Sequence, residues 1–355
     1  MKWFAQQKLK LKNTAADCRR ICKSHSNQLF GLDIGTCAIK LVQLKRDENG
    51  YALAAVNTTF VDNSNDINSA VKKCIAFAKI NSRLAISGVC GQETAVRHFT
   101  FPALLPEEIE GAVRFEAKQV CPFNSDDGVI DYQVISSGEK EVKGFLAVAT
   151  NNIIKHKNSI IKQSSLENVL MDFDGLALIN CLRYCDHEPG KTSAIINVGN
   201  SYTTVAIISD DNLPFIRDIS YAGKHITDHL AQANDVSPQT IEQFLHGQKD
   251  KDSDKIAISD NLEKSCQRLI SNITETLYYD AVRRKSELVN KIYLCGGFAL
   301  VEGFADLMKN KLPAPTALWN PFEKIQCDTA LPYSDLLRKN GPAFAVAAGL
   351  AMRQI

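Results

Sequence analysis

The sequence predicts an α/β protein built from two similar halves, because two distant segments follow the same hairpin pattern. Residues 29–44 read LFGLDIGTCAIKLVQL, in which small residues separate two short apolar runs. Residues 192–208 read TSAIINVGNSYTTVAII and repeat the order of apolar run, polar residue, glycine, small polar residues and apolar run. Apolar runs joined by a compact turn are typical of β-hairpins. A third segment, 292–305, reads IYLCGGFALVEGFA and predicts a short strand, a glycine pair and a helix.

Asp33 stands just before the turn of the first hairpin, inside an otherwise apolar strand. An unpaired buried carboxylate is very costly, so this side chain needs a partner, which a bound cation or its water shell would supply. Gly35 lets the backbone approach a ligand, and the turn's N–H groups with the Thr36 hydroxyl can cradle a phosphate. The alternative is an ordinary hairpin with a strand-end aspartate. The second copy of the pattern favours a nucleotide between the two halves.

The rest of the chain alternates strand and helix patterns. Strands are expected at 51–61, 83–89, 95–99, 129–135 and 144–149, and helices at 67–80, 106–120, 153–163, 171–184 and 262–284. Pro106 suits the first turn of its helix, and Cys121-Pro122 ends that helix. Further helices begin at Gly223 and after Ser237, a favourable N-cap. Residues 248–255 form an exposed loop, and residues 342–352 form a closing core helix.

Composition limits the classes of function. A chain of 355 residues can form about two domains with substantial cores. Hydrophobic residues make up 45% and charged residues 23%, which is typical of soluble globular proteins. The formal net charge of +1 gives no global case for nucleic-acid binding. No apolar run approaches the roughly 20 residues that a membrane-spanning helix requires.

Cysteine usage favours a reduced, cytosolic protein. The 11 cysteines are odd in number and scattered through apolar patterns, which indicates core thiols rather than a disulfide framework. Cys18/Cys22 and Cys181/Cys185 have helical spacing but no matching pair elsewhere, so no metal site is expected there.

The first 28 residues differ from the rest, since their basic residues face a single acid, Asp17. They contain no apolar signal-peptide core, and a solvated tail is favoured. The alternative is that Trp3 and Phe4, with the basic residues, lie on an anionic membrane surface.

The hairpin at 29–44, the hairpin at 192–208 and the Gly-Gly segment resemble the phosphate-1, phosphate-2 and adenosine motifs of the actin-like ATPase superfamily, in the expected order. The resemblance implies two RNase-H-like domains with ATP and Mg²⁺ in the cleft between them. It implies that Asp33 faces the metal through water. It further implies nucleotide contacts from Gly35, Thr36, Cys37 and Lys40 on one side, from Asn197, Gly199, Asn200 and Ser201 on the other, from Glu242 at the ribose, and from Gly296 and Gly297 at the adenosine.

Most of the chain further resembles PilM, the actin-like family of type IV pilus assembly. The resemblance is carried by the helix 109–123 (IEGAVRFEAKQVCPF) with the strand beginning at Asp131-Tyr132, by 217–227, by the Trp319-Asn320-Pro321-Phe322 step, and by 345–353. It implies a cytoplasmic ATP-binding scaffold that docks the tail of a PilN-like inner-membrane protein. Membrane association would then come through partners, among them other pilus platform components. We expect the tail in a groove that the 85–150 subdomain forms against the first domain, with Val113 and Phe123 in it.

This resemblance also predicts the domain organisation. After the basic tail at 1–28, domain I spans 29–190, and its small subdomain at about 85–150 occupies the place of the extra subdomain in FtsA, the cell-division relative. Domain II spans 191–330, with a helical subdomain at about 225–280. Residues 331–355 form a C-terminal helix that returns to domain I.

The chain departs from the family at three places. Asn197 stands where an aspartate is usual, Leu245 stands where a lysine often follows the ribose acid, and Thr36-Cys37 replace two serines. Losing a carboxylate removes charge that would hold the hydration shell of Mg²⁺. We therefore expect ATP binding with weak or absent hydrolysis.

Two other functions fit the same fold. An acid or sugar kinase would need a carboxylate in the cleft as general base, and Asp172 or Asp174 could take that role. Both acids also suit the positive end of a helix, which is the favoured interpretation. An FtsA-like division filament is the third possibility, but residues 342–355 lack a polar linker ending in a basic amphipathic helix.

Overall fold

The computed structural model describes residues 28–48, 50–61, 66–245, 258–328 and 333–353. The predicted basic tail up to residue 27 and the predicted loop 248–255 lie outside these residues, as do Cys18 and Cys22. Within the described part, the nine cysteines are all free thiols. None of the described helices is both long enough and apolar enough to cross a bilayer.

The described chain folds into strands and helices that alternate for most of its length. The strands are β1 (Phe30–Ile34), β2 (Ala38–Asp47), β3 (Gly50–Phe60), β4 (Leu84–Val89), β5 (Thr94–Pro102), β6 (Gly128–Ser137), β7 (Glu141–Thr150), β8 (Glu167–Phe173), β9 (Ser193–Val198), β10 (Thr203–Ile208), β11 (Phe215–Ile219), β12 (Lys291–Cys295) and β13 (Thr316–Leu318). The helices are α1 (Ile67–Ala78), α2 (Pro106–Val120), α3 (Asn151–Gln163), α4 (Asp174–Cys185), α5 (Gly223–Asn234), α6 (Pro238–Leu245), α7 (Ile258–Arg284), α8 (Phe304–Lys311), α9 (Ser334–Asn340) and α10 (Ala345–Ala351).

Two five-stranded sheets share one topology. The first has the order β3-β2-β1-β4-β8 and the second the order β11-β10-β9-β12-β13. In each sheet a hairpin (β1–β2 or β9–β10) supplies an inner strand that pairs antiparallel with its hairpin partner and parallel with the next strand, β4 or β12. An inner strand covered on both faces requires continuous apolar sequence, which is why both hairpins begin with apolar runs. The predicted duplication is therefore present in the strand order.

A third sheet, of order β5-β7-β6, forms the small subdomain together with α2. The apolar face of α2 packs on this sheet, where Ile109, Val113 and Ala117 meet Phe99 and Leu146. Val113 is only 1% exposed, so it belongs to the subdomain's own core. The prediction that it lines a partner groove is corrected accordingly. The likeness of this subdomain to that of FtsA stays a prediction.

The predicted closing helix is confirmed as α10, which follows a short 3₁₀ turn at Gly341–Phe344. Its backbone approaches β1 and α4 so closely that side chains are excluded at two glycines. A Cβ on Gly31 would lie 2.0 Å from the Ala347 carbonyl oxygen, and a Cβ on Gly349 would lie 1.9 Å from that of Ala177. The small residues of this segment are thus required by the close packing.

Several elements differ from the prediction. The segment 171–184 is not a single helix, because Met171, Asp172 and Phe173 end strand β8 and the helix begins at Asp174. Strands β11 and β13 were not predicted, since each is short and lacks a clear alternation. After the glycine pair a 3₁₀ turn at Phe298–Leu300 comes first, and helix α8 begins only at Phe304.

Candidate functional site

The turns of the two hairpins have the same geometry and face each other. Gly35 N donates to the Ala38 carbonyl oxygen at 3.2 Å, and Gly199 N donates to that of Tyr202 at 3.1 Å. Across the cleft, the hydroxyls of Thr36 and Ser201 are hydrogen-bonded at 2.9 Å. Asn200 Nδ2 also donates to Thr36 Oγ1, at 3.2 Å. The structure therefore brings the two predicted phosphate loops into direct contact.

Asp33 has the partner that its place in an apolar strand requires, and within the protein this partner is Lys40. It lies opposite Lys40 in the β1–β2 pairing, and Lys40 Nζ donates to Asp33 Oδ2 at 2.9 Å. Both side chains are 16% exposed, so the pair is shielded but open to a ligand in the cleft. One hairpin thus carries its own counter-ion, because residues paired across a hairpin place their side chains on one face.

A second lysine reaches the same strand from a different element. Lys157 of α3 donates to the Ile34 carbonyl oxygen at 2.7 Å. This lysine was missed in the sequence, since it lies in an ordinary amphipathic helix with no motif around it. Two ammonium groups, those of Lys40 and Lys157, therefore lie at the end of β1 beside the first turn.

Asn197 occupies the position in β9 that Asp33 occupies in β1. Its side-chain oxygen accepts a long hydrogen bond from the Cys295 thiol at 3.9 Å. It also lies beside Gly296, where a Cβ would be 2.8 Å from Asn197 Oδ1. The amide therefore points toward the end of β12, and the second loop lacks the carboxylate that the first one has.

The two glycines after β12 have different roles. Gly296 has φ +99°, and a Cβ there would lie 2.4 Å from the Val198 carbonyl oxygen, so the fold itself requires glycine. A Cβ on Gly297 would meet nothing within 4 Å. Gly296 is thus explained by the backbone, whereas the space beside Gly297 is open and the adenosine contact there stays a prediction.

The N-terminus of α5 holds the second phosphate loop. Gly223 N donates to the Gly199 carbonyl oxygen at 3.0 Å, and Lys224 N donates to that of Asn200 at 2.9 Å. The Lys224 side chain is exposed. It was not predicted as a site residue, although a lysine in the first helical turn after such a hairpin is a usable signal. The first turn of α5 therefore adds a cation to the second loop.

Charged groups of the second half lie close enough to Cys37 in the first turn to shift the pKa of its thiol. Burial raises the pKa of the Cys37 thiol, and the charge of Glu242 raises that pKa further. Lys40 and Lys224 oppose this change, since each positive charge favours the thiolate. The exposed Glu242 of α6 and Lys224 therefore act on the predicted phosphate side from across the cleft.

The two acids considered as a kinase base have different surroundings. Asp172 is fully buried, and its Oδ2 is ion-paired with Arg353 Nε at 3.0 Å. Asp174 is the first residue of α4, as favoured, while Asp172 belongs to β8 and not to a helix start. Burial and the charge of Asp33 raise the pKa of Asp174 to about 7. Of these two acids, therefore, only Asp174 is shown to interact electrostatically with Asp33 of the cleft.

A second set of contacts joins the halves beside the cleft. Asp218 of β11 accepts hydrogen bonds from Gly91 N at 2.7 Å, from Thr94 Oγ1 at 3.2 Å and from Thr204 Oγ1 at 2.6 Å. Farther along the strand, His98 Nε2 is hydrogen-bonded to the Pro214 carbonyl oxygen at 2.8 Å. Strand β5 of the small subdomain is thereby held along β11 of the second half.

A cavity of about 270 Å³ lies where the small subdomain, helix α4 and the second half meet. Its walls are residues of β6 and β7, of α4, of the connection before β11, and of the C-terminus: Gln133, Val134, Ile135, Phe145, Leu176, Ile179, Asn180, Arg183, Asn212, Pro214 and Arg353. Arg183 Nη2 donates to Asn212 Oδ1 at 2.8 Å across the two halves. Neither Val113 nor Phe123 lines this cavity; Phe123 is half-buried against the core below α2.

Residues 31–355 match the family model described as type IV pilus assembly protein PilM. The chain belongs to the PilM family. A solved PilM–PilN type IV pilus biogenesis complex is similar at a TM-score of 0.78 with 23% identity, over 92% of this chain and 98% of that chain. The predicted family and its actin-like ATPase fold are thereby confirmed.

Two other solved structures share the fold of this PilM family member at lower similarity. The ethanolamine utilization protein EutJ from Carboxydothermus hydrogenoformans has a TM-score of 0.52 and 14% identity, over 91% of this chain and 88% of that chain. The diol dehydratase-reactivating factor in nucleotide-free form has a TM-score of 0.51 and 10% identity, over 91% and 98%. At these identities only the fold is shared.

Proposed function

We propose that this chain is an ATP-binding scaffold of the type IV pilus assembly platform, which docks the cytoplasmic tail of a PilN-like membrane protein. Membership of the PilM family over residues 31–355 carries this proposal. The protein would then work at the cytoplasmic face of the inner membrane, held there by its partner together with other platform components.

The facing turns and their cations support nucleotide binding. Lys40 would exchange Asp33 for a phosphate oxygen, and the Asp33 carboxylate would then face Mg²⁺ through water. Thr36, Asn200 and Ser201 already form hydrogen bonds with one another and would redirect them to phosphate oxygens. When bound, the metal would neutralise phosphate charge, and with Asn197 in the second loop we expect little ordering of an attacking water.

The cavity is our proposed site for the partner's tail. In the described part of the chain, β6 pairs with β7 alone, so its outer edge is available to an added strand. A tail laid there would gain main-chain hydrogen bonds together with apolar contacts to Val134, Ile135 and Leu176. Ordering a flexible segment opposes binding, so we expect a roughly micromolar dissociation constant.

The test is titration of a fluorescein-labelled synthetic peptide of the host's PilN cytoplasmic tail into the full-length protein. We expect Ile135→Glu, which places a charge in the cavity wall, to weaken binding at least tenfold. Phe115→Glu is the matched control, because Phe115 is 66% exposed on α2 of the same subdomain and lies outside the cavity. No binding by the parent protein would refute tail docking. Equal binding by Ile135→Glu would refute only the cavity.

An acid or sugar kinase remains the second candidate because of Asp174. A carboxyl group with pKa about 7 in the cleft is suited to accept a hydroxyl proton near neutral pH. Incubating the protein with ATP and a panel of small carboxylic acids and sugars distinguishes the two functions. Phosphorylated product that depends on Asp174 would favour the kinase, and its absence favours the scaffold.

A further inference from the structure

We infer that peptide binding in the cavity and nucleotide binding in the cleft weaken each other, because β11 connects the two sites as a rigid lever that pivots at Ile216. This inference rests on the proposed function, since it concerns the regulation of the same two sites. Three observations carry it: what each end of β11 contacts, what holds its middle, and which contact must part to admit a phosphate.

One end of β11 belongs to the cleft. Asp218 holds this end against Gly91 and Thr94 of the first half. The chain then continues into Gly223, whose N–H group donates to the Gly199 carbonyl oxygen in the second phosphate loop. Any movement of this end of the strand therefore moves the loop that faces Thr36.

The other end belongs to the cavity. Asn212 and Pro214, just before β11, form one of its walls, and α4 and β6 form the opposite walls. Pro214 and Asp218 are four residues apart in an extended chain, so the two ends are separated by roughly 13 Å. A single strand is thus shared by the two proposed sites.

The middle of β11 is pressed against the first half. Ile216 packs on the backbone of α4 at Gly175, where a Cβ would lie 2.6 Å from Ile216 Cγ2. Ile216 is 6% exposed and belongs to the core cluster that joins both sheets. This contact limits how closely the strand can approach α4, and Ile216 is therefore the point about which β11 would tilt.

Phosphate entry requires such a tilt. The Thr36 and Ser201 hydroxyls are only 2.9 Å apart, and a phosphate group between them has to move the second loop away. Tilting about Ile216 then carries Asn212 and Pro214 toward α4 and β6, which narrows the cavity. A peptide in the cavity holds this end outward and so presses the phosphate loops together. Each ligand should therefore weaken the other by the same factor.

The test is a binding cycle with the full-length parent protein. The affinity of the labelled PilN tail peptide is measured with and without saturating ATP·Mg²⁺, and ATP affinity is measured with and without saturating peptide. We expect a mutual weakening of about fivefold or more, the lower end of common allosteric coupling. A factor of one, or mutual tightening, overturns the lever. If either ligand fails to bind alone, the proposed function falls and this inference with it.

A pair of variants tests the pivot itself. Ile216→Ala removes the side chain that contacts Gly175, so the coupling factor should fall toward one while both ligands still bind. Ile207→Ala is the control, since Ile207 is buried in β10 but lies outside the core cluster that joins the sheets. Undiminished coupling in Ile216→Ala, or an equal loss in both variants, contradicts the pivot. If Ile216→Ala does not fold, the cycle with the parent protein decides alone.

Discussion

Asp33 and Lys40 form an ion pair across the first hairpin, at 2.9 Å, where the cleft between the halves begins. The pairing is fixed by the strand register, since the two residues are direct partners in β1 and β2. It keeps a carboxylate acceptable in an apolar strand and holds an ammonium group ready beside the first phosphate loop. The same pair therefore serves the fold and the proposed nucleotide site.

We expect Lys40→Met to lower ATP affinity at least tenfold, because the variant loses the cation that would meet a phosphate and leaves Asp33 unpaired. Calorimetric titration of ATP·Mg²⁺ measures the effect. Lys73→Met on α1 is the control, since Lys73 is exposed on a helix that carries none of the predicted nucleotide-contact residues. Equal affinity in both variants would remove Lys40 from the site.

The glycine pair predicts two different outcomes. Gly296→Ala should lower the melting temperature, because φ is +99° and the new Cβ would lie 2.4 Å from the Val198 carbonyl oxygen. Gly297→Ala should melt like the parent, since its Cβ would meet nothing within 4 Å. Thermal unfolding of both variants makes the comparison.

Gly297→Asp should abolish nucleotide binding while the protein stays folded, because a carboxylate would occupy the adenosine approach and repel the phosphates. Calorimetry at a temperature below the melting transition is the measurement. Unchanged affinity would show that the adenosine lies elsewhere.

The duplicated fold could be predicted because each hairpin has a local sequence pattern, in which apolar runs flank a turn that contains glycine. The closing helix α10 could be predicted for the same reason, since close packing against β1 demands small residues there. Strand β8 could not be separated from α4, because the apolar pattern runs through Phe173 without a turn signal. The ion pair with Arg353, 181 positions away along the chain in an unrelated segment, helps to explain why Asp172 is buried in a strand.

Residues of the candidate site could be predicted where they belong to a recognisable motif. They could not be predicted where they reach the site through a long-range contact. The facing of Thr36 and Ser201 follows from the duplication. The approach of Lys157 to β1 does not follow from the sequence, because it depends on how α3 crosses the sheet. The groove at Val113 was misplaced since an amphipathic face gives no sign of whether its own sheet or a partner covers it.

Lys224→Met tests a residue that was not predicted from the sequence to belong to the site. We expect it to weaken ATP binding more than adenosine binding, because the ammonium group acts on the phosphate side through charge. The ratio of the two affinities, compared between variant and parent, is the measurement. An equal loss for both ligands would indicate that Lys224 acts only through the structure of α5.

Hydrolysis should be slow. Typical enzymes turn over at about 10 s⁻¹, and with Asn197 in the place of a carboxylate we expect a value far below that. Steady-state phosphate release by the purified protein measures it. Ordinary enzyme rates that disappear in Gly199→Asp, whose side chain would enter the second turn, would contradict the scaffold.

The last prediction concerns the buried carboxyl of Asp174 and its effect on stability. Burial and then the charge of Asp33 raise its pKa to about 7, against the opposing charge of Lys157 and a hydrogen bond from Cys90. The folded protein therefore holds this proton over a range of pH in which the unfolded chain has already lost it. Stability that depends on the proton is present below the ordinary aspartate pKa of about 3.9 and is lost as pH rises toward 7.

Asp174→Asn mimics the protonated carboxyl group and should remove this contribution to the pH dependence. We expect the variant to be more stable than the parent at pH 7, with the difference shrinking toward zero near pH 4, as measured by urea unfolding across that range. Asp306→Asn is the control, because Asp306 is exposed on α8 and its replacement should leave the pH profile unchanged. A difference that does not vary with pH would mean that Asp174 is ionised in the folded protein throughout, and its assignment as the titrating group of the cleft would be wrong.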